Sequence, residues 1–349
     1  MLKLIHLGTG GRGRHWLDFV AARPDVETVA CVDVDQAALD AVRQKTGCKT
    51  FLSLEEALAE TVADGVLVAS PSHMHGAHAR QILQAGFAVM VEKPLAGSLR
   101  EAVDVVHAAR EANRPLMVAE NYRFFRAERT LRKFLDGNHL GRIQSVVCID
   151  RRDQPSRAQG AWVTKMAQPF LTEIAVHHFD SFRYLFNARP EAVWARTFNP
   201  QGSDYEQNAA AETLLDLQGG IHIQYSGSFV GSRYEYSLAI EGEHGDVRTD
   251  RSKVWWRPRG RKSYTEVAPV QLPEGESLRY PDAGMLSMMA QFQQAVATGS
   301  APETSGADNL WTLAMFEAAV QSAQSGRYVS IDEIFTPELR ARAGIAEES

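Results

Sequence analysis

Residues 2–13 read LKLIHLGTGGRG, an apolar stretch that runs directly into closely spaced glycines. The first six residues have the length and composition of a short strand, and residues 14–22 are typical of a helix. Gly8, Gly10 and Gly13 thus form a G-x-G-x-x-G motif between a strand and a helix. This arrangement binds dinucleotides, because the glycines allow a tight turn and close backbone approach to the pyrophosphate, while the helix N-terminus attracts the phosphates.

A carboxylate follows the second predicted strand, where it would select between dinucleotides. Asp33 lies twenty residues after Gly13. A carboxylate at this distance holds the 2′-hydroxyl of the ribose, which favours NAD over NADP. NADP stays open at this point, because Arg12 and Arg14 carry the charge to bind a 2′-phosphate.

A lysine lies at the end of a further predicted strand. Residues 87–91 are apolar, and Glu92-Lys93-Pro94 follows them at once. Ligands of open α/β sheets bind at the carboxyl ends of the strands, and Pro94 restricts the backbone of Lys93 to an extended shape. A solvated lysine that only ends a strand would have the same pattern. The glycine motif favours the functional interpretation, with Glu92 bracing the lysine.

Strands and helices alternate through the first third of the chain, which predicts an α/β fold. We expect an N-terminal Rossmann-type doubly wound parallel sheet in a dinucleotide-binding domain, residues 1–120. Beyond it, several strand-like stretches are separated by turn signals such as Gly219-Gly220. Residues 121–349 are therefore predicted to form a C-terminal α+β domain built on a largely antiparallel sheet, for substrate binding and oligomerisation.

A histidine-bearing segment in the second half is the other candidate chemical site. Residues 171–185 read LTEIAVHHFDSFRYL, and helical spacing would align four polar residues on one face, namely Glu173, His177, Asp180 and Tyr184. A carboxylate one turn before a histidine can fix its tautomer and leave the other ring nitrogen to take a proton. A solvated helix face would have the same pattern. Together with the lysine and the dinucleotide motif, the acid–base interpretation is favoured.

Composition and charge narrow the class of protein. A chain of 349 residues is too long for one ordinary core, so two domains are expected. The net charge of −6 and a pI near 6.0 give no reason to expect nucleic acid. His73, His75 and His78 have no companion cysteine or carboxylate cluster, so no metal site is predicted.

Cysteine usage and hydropathy indicate the compartment. The three cysteines are odd in number and scattered, which fits a reducing cytoplasm rather than a disulfide scaffold. The first strand begins at Leu2, which leaves no room for a signal peptide, and no apolar run reaches membrane-spanning length. We therefore expect a cytoplasmic enzyme with no membrane partner.

The sequence resembles the glucose–fructose oxidoreductase, inositol dehydrogenase and MocA family of NAD(P)-dependent oxidoreductases. The resemblance spans nearly the whole chain and rests on the glycine motif with Asp33, on Glu92-Lys93-Pro94, on the 173–180 helix, and on four shorter elements. These are Ser70-Pro71-Ser72-His73-Met74-His75, Asn121-Tyr122-Arg123-Phe124, Leu140-Gly141-Arg142-Ile143 and Ser325-Gly326-Arg327. The sequence departs from the family pattern in three places: at Glu173, where aspartate is common, at Arg126, where proline is common, and at 167–170, which replace a glycine-rich run.

The resemblance implies an activity and a set of site residues. The activity is hydride transfer between a nicotinamide cofactor and a secondary hydroxyl or keto group of a sugar, cyclitol or related polyol. The implied catalytic group is Lys93, His177 and Glu173. Arg123 and Trp162 are further candidates for binding substrate on their own chemistry, although each could instead be structural. Residues expected to bind the cofactor are Gly8, Thr9, Gly10, Gly11, Arg12, Gly13, Asp33, Ser70, Pro71, His75, Glu92 and Lys93. A homodimer or homotetramer through the C-terminal sheet is also implied.

Two other functions stay open on the sequence. Some relatives hold NAD tightly and use it transiently, oxidising and re-reducing a sugar derivative around an elimination, and the motifs do not separate these enzymes from dehydrogenases. A non-catalytic sensor could keep the same fold. Retention of Lys93, Glu173 and His177 together argues against the sensor, because a binding module does not need an acid–base pair.

Overall fold

The computed structural model describes residues 1–155, 163 and 166–346. The chain divides into two compact units. The first comprises Met1–Glu120, Gly275–Leu310 and the segment from Pro337 onward, and the second comprises Asn121–Glu274 and Trp311–Thr336. Gly275–Leu310 and the segment from Pro337 thus cluster with the first unit, although the sequence pattern predicted them in the second domain.

A parallel sheet forms the centre of the first unit. Its strands are β1 (Leu2–Leu7), β2 (Val26–Val32), β3 (Lys49–Phe51), β4 (Gly65–Val68), β5 (Ala88–Val91) and β6 (Leu116–Val118). They pair in the order β3-β2-β1-β4-β5-β6, all parallel. The strand order changes direction between β1 and β4, which makes the carboxyl ends of these two strands the topological switch point where such sheets bind ligands.

Helices connect these strands, and the apolar runs between them are buried. The helices are α1 (Gly11–Ala21), α2 (Gln36–Thr46), α3 (Leu54–Glu60), α4 (His75–Gln84) and α5 (Leu99–Ala112). Every residue of β4 and β5 is buried, as expected for strands covered on both faces. The N-terminal Rossmann-type sheet predicted from the strand–helix alternation is confirmed.

The second unit is built on a mixed sheet. The helices that follow α5 along the chain are α6 (Arg126–Asp136), α7 (Val176–Phe186), α8 (Met285–Thr298), α9 (Gly306–Ser325), α10 (Ile331–Ile334) and α11 (Pro337–Ala343). Of these, α8 and α11 lie in the segments that cluster with the first unit. The sheet strands are β7 (Ile143–Asp153), β8 (Pro190–Phe198), β9 (Ala210–Leu217), β10 (Ile221–Ser228), β11 (Val230–Gly242), β12 (Gly245–Thr249), β13 (Val254–Pro258), β14 (Thr265–Glu266) and β15 (Val329–Ser330). Their order is β14-β13-β12-β11-β7-β10-β9-β8-β15, and β7 and β10 form a parallel pair in an otherwise antiparallel sheet. The predicted α+β fold is confirmed.

Packing explains why Gly275–Leu310 belongs with the first unit. A Cβ atom added to Gly65 in β4 would lie 3.1 Å from the ring of Phe292 in α8, so the helix packs closely against this strand. Ser305 forms an antiparallel bridge to Met117 in β6. Because these contacts join residues far apart in the sequence, local patterns could not reveal them.

Two features are absent from the part of the chain that the structure describes. None of its helices combines the length and apolar character needed to cross a membrane. Nor do the described residues contain a group of three or more histidine, cysteine, aspartate or glutamate side chains that could hold a metal ion.

His6 in β1 is a buried polar group in the core of the first unit. Its side chain is fully buried, and neither ring nitrogen has a hydrogen-bond partner among the described residues. Burial lowers the pKa of His6 to about 3 from its ordinary value of 6.5. Below pH 6.5 the unfolded chain therefore binds a proton that the folded chain does not take up until about pH 3, so this histidine makes stability fall as the pH falls through that window.

Replacing His6 with Leu is expected to weaken the acid dependence of stability. The free energy of unfolding, measured by urea denaturation at several pH values from 7.5 to 4.5, should fall less steeply in the variant, by up to about 1.4 kcal/mol per pH unit. His222→Gln is the matched control, because the His222 side chain is 73% exposed. A slope in His6→Leu equal to that of the wild type would contradict this account.

Candidate functional site

The glycine loop after β1 combines two crowded positions with two open ones. A Cβ atom on Gly8 would lie 2.5 Å from the carbonyl oxygen of Ala69, and one on Gly13 would lie 2.1 Å from the carbonyl oxygen of Gly8. Gly8 also has a φ of +96°, a backbone conformation that favours glycine. By contrast, a Cβ atom on Gly10 or Gly11 would meet nothing within 4 Å. The crowded glycines allow the tight turn, and the open ones leave room for another group to approach the backbone.

The start of α1 offers backbone donors at this open side. The helix begins at Gly11, and its N-cap residue Gly10 provides no side-chain hydrogen bond to the first turn. Unpaired N–H groups and the helix dipole together attract anions. The loop therefore fits the pyrophosphate of a dinucleotide.

Asp33, at the end of β2, is held against the glycine loop by Thr9. The backbone N–H and the hydroxyl of Thr9 both donate to Asp33 Oδ2 at 2.7 Å, and the Asp35 N–H donates to Oδ1 at 3.1 Å. Burial raises the pKa of Asp33, but these hydrogen bonds outweigh it and leave the pKa below its ordinary value. The predicted ribose-binding group is thus an anion fixed beside the loop, and Thr9 is its partner.

Arg12 and Glu92, both predicted to contact the cofactor, contact each other. The Nε of Arg12 and the indole N–H of Trp16 each donate to Glu92 Oε1 at 2.6 Å, and Arg12 also donates to the carbonyl oxygen of Pro281 at 3.3 Å. Burial alone would raise the pKa of Glu92. The charge of Arg12 and the hydrogen bonds from Trp16 and Arg12 outweigh that effect and leave the pKa below its ordinary value, so the carboxylate stays charged. This network braces the residue before Lys93, and it engages the guanidinium that the sequence had left available for a 2′-phosphate.

His75 anchors the residue that follows Lys93. The ring is 2% exposed, with Nδ1 2.7 Å from the carbonyl oxygen of Pro94 and Nε2 2.8 Å from that of Ser70. The Lys93–Pro94 peptide bond is cis. Lys93 is half-buried and lies between two anchored neighbours, Glu92 and Pro94. Its backbone is therefore held in place at the carboxyl end of β5.

The segment carrying Glu173 and His177 differs from the regular helix that the sequence predicted. Leu171–Ala175 forms a π-helix, and α-helical geometry begins only at Val176. A π-turn holds more residues than an α-turn, so the backbone before His177 is wound less tightly than in the predicted helix. Such π segments occur frequently at functional sites.

Asp180, predicted on one helix face with His177, lies in the same helix α7 and forms a buried ion pair. It is 1% exposed and accepts hydrogen bonds from both Nε and Nη2 of Arg123, the Nε bond being 2.8 Å long. Thr312 in α9 donates to the same carboxylate at 3.2 Å. Arg123, predicted to bind substrate, is itself 4% exposed, and its observed role is this buried ion pair. Substrate binding by Arg123 stays a prediction, and Trp162, the other such residue, lies outside the described residues.

The two adjacent histidines have different surroundings. His177 is 7% exposed, and its ring stacks on Tyr122 with the ring centroids 4.4 Å apart and the planes at 17°. His178 is fully buried, with Nε2 2.7 Å from Asp150 Oδ2. Burial lowers the pKa of His178 to about 4, so neutral Nε2–H donates to the Asp150 carboxylate. Sequence reasoning missed this carboxylate–histidine pair, because its members are 28 residues apart and share no motif.

Comparisons with known proteins agree with this fold along the chain. The oxidoreductase family model with an NAD-binding Rossmann fold, GFO_IDH_MocA, matches residues 3–120, and the GFO/IDH/MocA C-terminal domain matches residues 129–248. The 1,5-anhydro-D-fructose reductase of Ensifer adhaerens is 25% identical over 93% of this chain and 97% of its own. The inositol 2-dehydrogenase of Rhizobium meliloti is 26% identical over 93% of this chain and 98% of its own.

A solved structure shares the whole fold. The crystal structure of an oxidoreductase from Agrobacterium radiobacter, in complex with NAD+, L-tartaric acid and magnesium, has a TM-score of 0.85 and 22% identity, covering 95% of this chain and 99% of that one. The two family models cover most of the chain, and the glycine loop has the space and the donors that a dinucleotide requires. The chain therefore belongs to the GFO/IDH/MocA family and is an NAD-binding oxidoreductase.

Proposed function

We propose that the protein transfers a hydride between NAD and a secondary hydroxyl or keto group of a sugar, cyclitol or related polyol. The observation that carries this proposal is the position of Lys93 at the carboxyl end of β5, with Glu92 and Pro94 anchored on either side. Relatives that are named a 1,5-anhydro-D-fructose reductase and an inositol 2-dehydrogenase support the substrate class.

Each proposed catalytic residue has a role that its chemistry allows. His177 accepts the proton of the substrate hydroxyl, and Glu173 holds the imidazole in its tautomer. The Lys93 ammonium donates to the substrate oxygen and stabilises its developing negative charge. NAD, when bound, supplies the acceptor for the hydride that leaves the substrate carbon. In the reverse direction His177 returns the proton to the substrate oxygen, and Lys93 donates a hydrogen bond to the same oxygen.

The cofactor contacts follow from the glycine loop. Gly10, Gly11 and the start of α1 would hold the pyrophosphate, and Asp33 the ribose 2′-hydroxyl. Ser70 and Pro71 would lie toward the nicotinamide, and His75, also expected to bind the cofactor, holds the backbone of Ser70 and Pro94. The Arg12–Glu92 ion pair supports NAD rather than NADP, because it engages one of the two guanidinium groups considered for a 2′-phosphate.

The test is cofactor reduction by a substrate panel. Absorbance at 340 nm would be followed with NAD or NADP and a set of cyclitols, aldoses, disaccharides and 3-keto sugars, beside a Lys93→Ala control. Reduction of NAD by one class of polyol, abolished in the control, is the expected result. If no compound reacts and the purified protein carries nucleotide, the transient use of NAD would replace this proposal. If neither is seen, a non-catalytic role would be favoured.

We also propose that the protein forms a homodimer or homotetramer through the sheet of the second unit. Leu214 and Val147 are 37% and 36% exposed, and both lie opposite Gln224 in the strand register, so they share one face. Trp194 lies opposite Leu214 and extends this apolar row. Light scattering on the purified protein tests the proposal, and a monomer at micromolar concentration would contradict it.

A cytoplasmic location is part of the same proposal. Cys31, Cys48 and Cys148 are buried free thiols in the structure, which is the usual state of cysteine in a reducing compartment. Fractionation of cells with an antibody to the native protein would test it.

A further inference from the structure

Tyr122 lies against the residue that the proposed reaction uses as its base. Its ring stacks on His177 at a centroid distance of 4.4 Å, and its side chain is 3% exposed. From this geometry we propose that Tyr122 is a positioning residue that fixes the ring plane of His177. The inference rests on the proposed function, because Tyr122 matters to turnover only if His177 is the base of the reaction.

Tyr122 is itself held at its hydroxyl. Arg152 Nη2 donates to the Tyr122 oxygen at 3.1 Å. Arg152 in turn makes two hydrogen bonds to Asp150, of 2.9 and 2.8 Å, and Asp150 is fully buried. Asp150 also accepts from His178. The tip of the tyrosine is therefore tied to β7 and, through Asp150, to the residue that follows His177.

The face of the Tyr122 ring is also held. The guanidinium carbon of Arg251 lies 4.3 Å from the ring centroid. The guanidinium of Arg251 and the imidazole of His177 therefore both lie close to the Tyr122 ring. The same guanidinium is 3.9 Å from the ring of Tyr236, and its Nε is 3.1 Å from Glu128 Oε1. Cation–π contacts that are shielded from water are stronger than exposed ones, so these contacts hold the guanidinium and the ring together.

These contacts limit how the Tyr122 ring can move. Rotation of the ring would break the contact with Arg251, and displacement along the ring plane would break the hydrogen bond from Arg152. A ring that is fixed in this way offers His177 one flat surface. Misplacement of a catalytic group by about 1 Å can cost about 10²-fold in rate, so the orientation of the imidazole matters to turnover.

Kinetics of two Tyr122 variants test the proposal. Tyr122→Phe keeps the stacked ring and should retain kcat within about threefold, whereas Tyr122→Leu removes the ring and should lower kcat by about 10- to 100-fold. NADH affinity should be unchanged in both, and the acidic limb of the pH profile of kcat/KM should move only in the Leu variant. Phe134→Leu is the matched control, because it removes a ring stacked on a different histidine, His139, at 4.7 Å.

Histidine side-chain NMR gives a readout that needs neither substrate nor turnover. The ring-proton signal of His177, assigned from its absence in His177→Asn, should be displaced by the ring current of Tyr122 in the wild type. Tyr122→Phe should keep that displacement and Tyr122→Leu should remove it. An undisplaced signal in the wild type would overturn the proposal even if the Leu variant did not fold.

The outcomes separate this inference from the proposed function. Full activity in Tyr122→Leu together with an inactive His177→Asn would overturn the positioning role and leave the proposed function intact. Full activity in His177→Asn would overturn both, because no base would then be needed at position 177.

Discussion

Replacing His177 with Asn is expected to lower kcat by about 10²- to 10⁴-fold, the usual contribution of a positioned proton-transfer group. Asparagine keeps a planar polar side chain but cannot accept a proton near neutral pH. The affinity for NADH should not change, because the proposed cofactor contacts, the glycine loop and Asp33, belong to the first unit and His177 belongs to the second. Steady-state kinetics and a fluorescence titration with NADH would measure the two quantities separately.

His178→Asn is the informative comparison for this variant. His178 is fully buried and paired with Asp150, so the main effect of its replacement should be a lower free energy of unfolding, with a smaller loss of kcat than in His177→Asn. The two variants would then differ in their main effect: His177→Asn would mainly lower kcat, and His178→Asn would mainly lower the free energy of unfolding. An equal loss of kcat and of NADH affinity in His177→Asn would count against its role as a base.

Replacing Gly10 with Ala is expected to weaken NADH binding about tenfold or more, which corresponds to about 1.4 kcal/mol. Gly10 has φ −71° and ψ −163°, which alanine adopts readily, and its Cβ would meet no protein atom within 4 Å. The new methyl group would instead occupy the space that the pyrophosphate needs. The melting temperature of the protein without cofactor should therefore stay near that of the wild type.

Gly13→Ala provides the contrast. Its Cβ would lie 2.1 Å from the carbonyl oxygen of Gly8, so the strand and the helix must move apart. This variant should lose stability as well as NADH affinity, as judged by thermal unfolding and the same titration. If Gly10→Ala bound NADH as tightly as the wild type, the assignment of the pyrophosphate to this loop would be wrong.

Local patterns in the sequence determined the Rossmann-type sheet, the glycine loop and the position of Lys93. Each depends on residues close together in the chain: the apolar strands β4 and β5, the spacing of glycines after β1, and the tripeptide after β5. Strand periodicity, turn chemistry and helix starts act over a few residues, so they can be recognised without knowing what packs where. The α+β character of the second unit was predicted on the same basis.

The tertiary structure alone decided the partners of the polar side chains. Asp180, predicted on one helix face with His177, is paired with Arg123, 57 residues away, and Leu171–Ala175 forms a π-helix where a regular helix was predicted. The sequence likewise did not show that Tyr122 stacks on His177. A buried charge needs a hydrogen-bonding or oppositely charged partner, and a buried ring needs side chains packed against it. These partners are chosen by how distant segments of the chain pack together, which no local pattern of residues encodes.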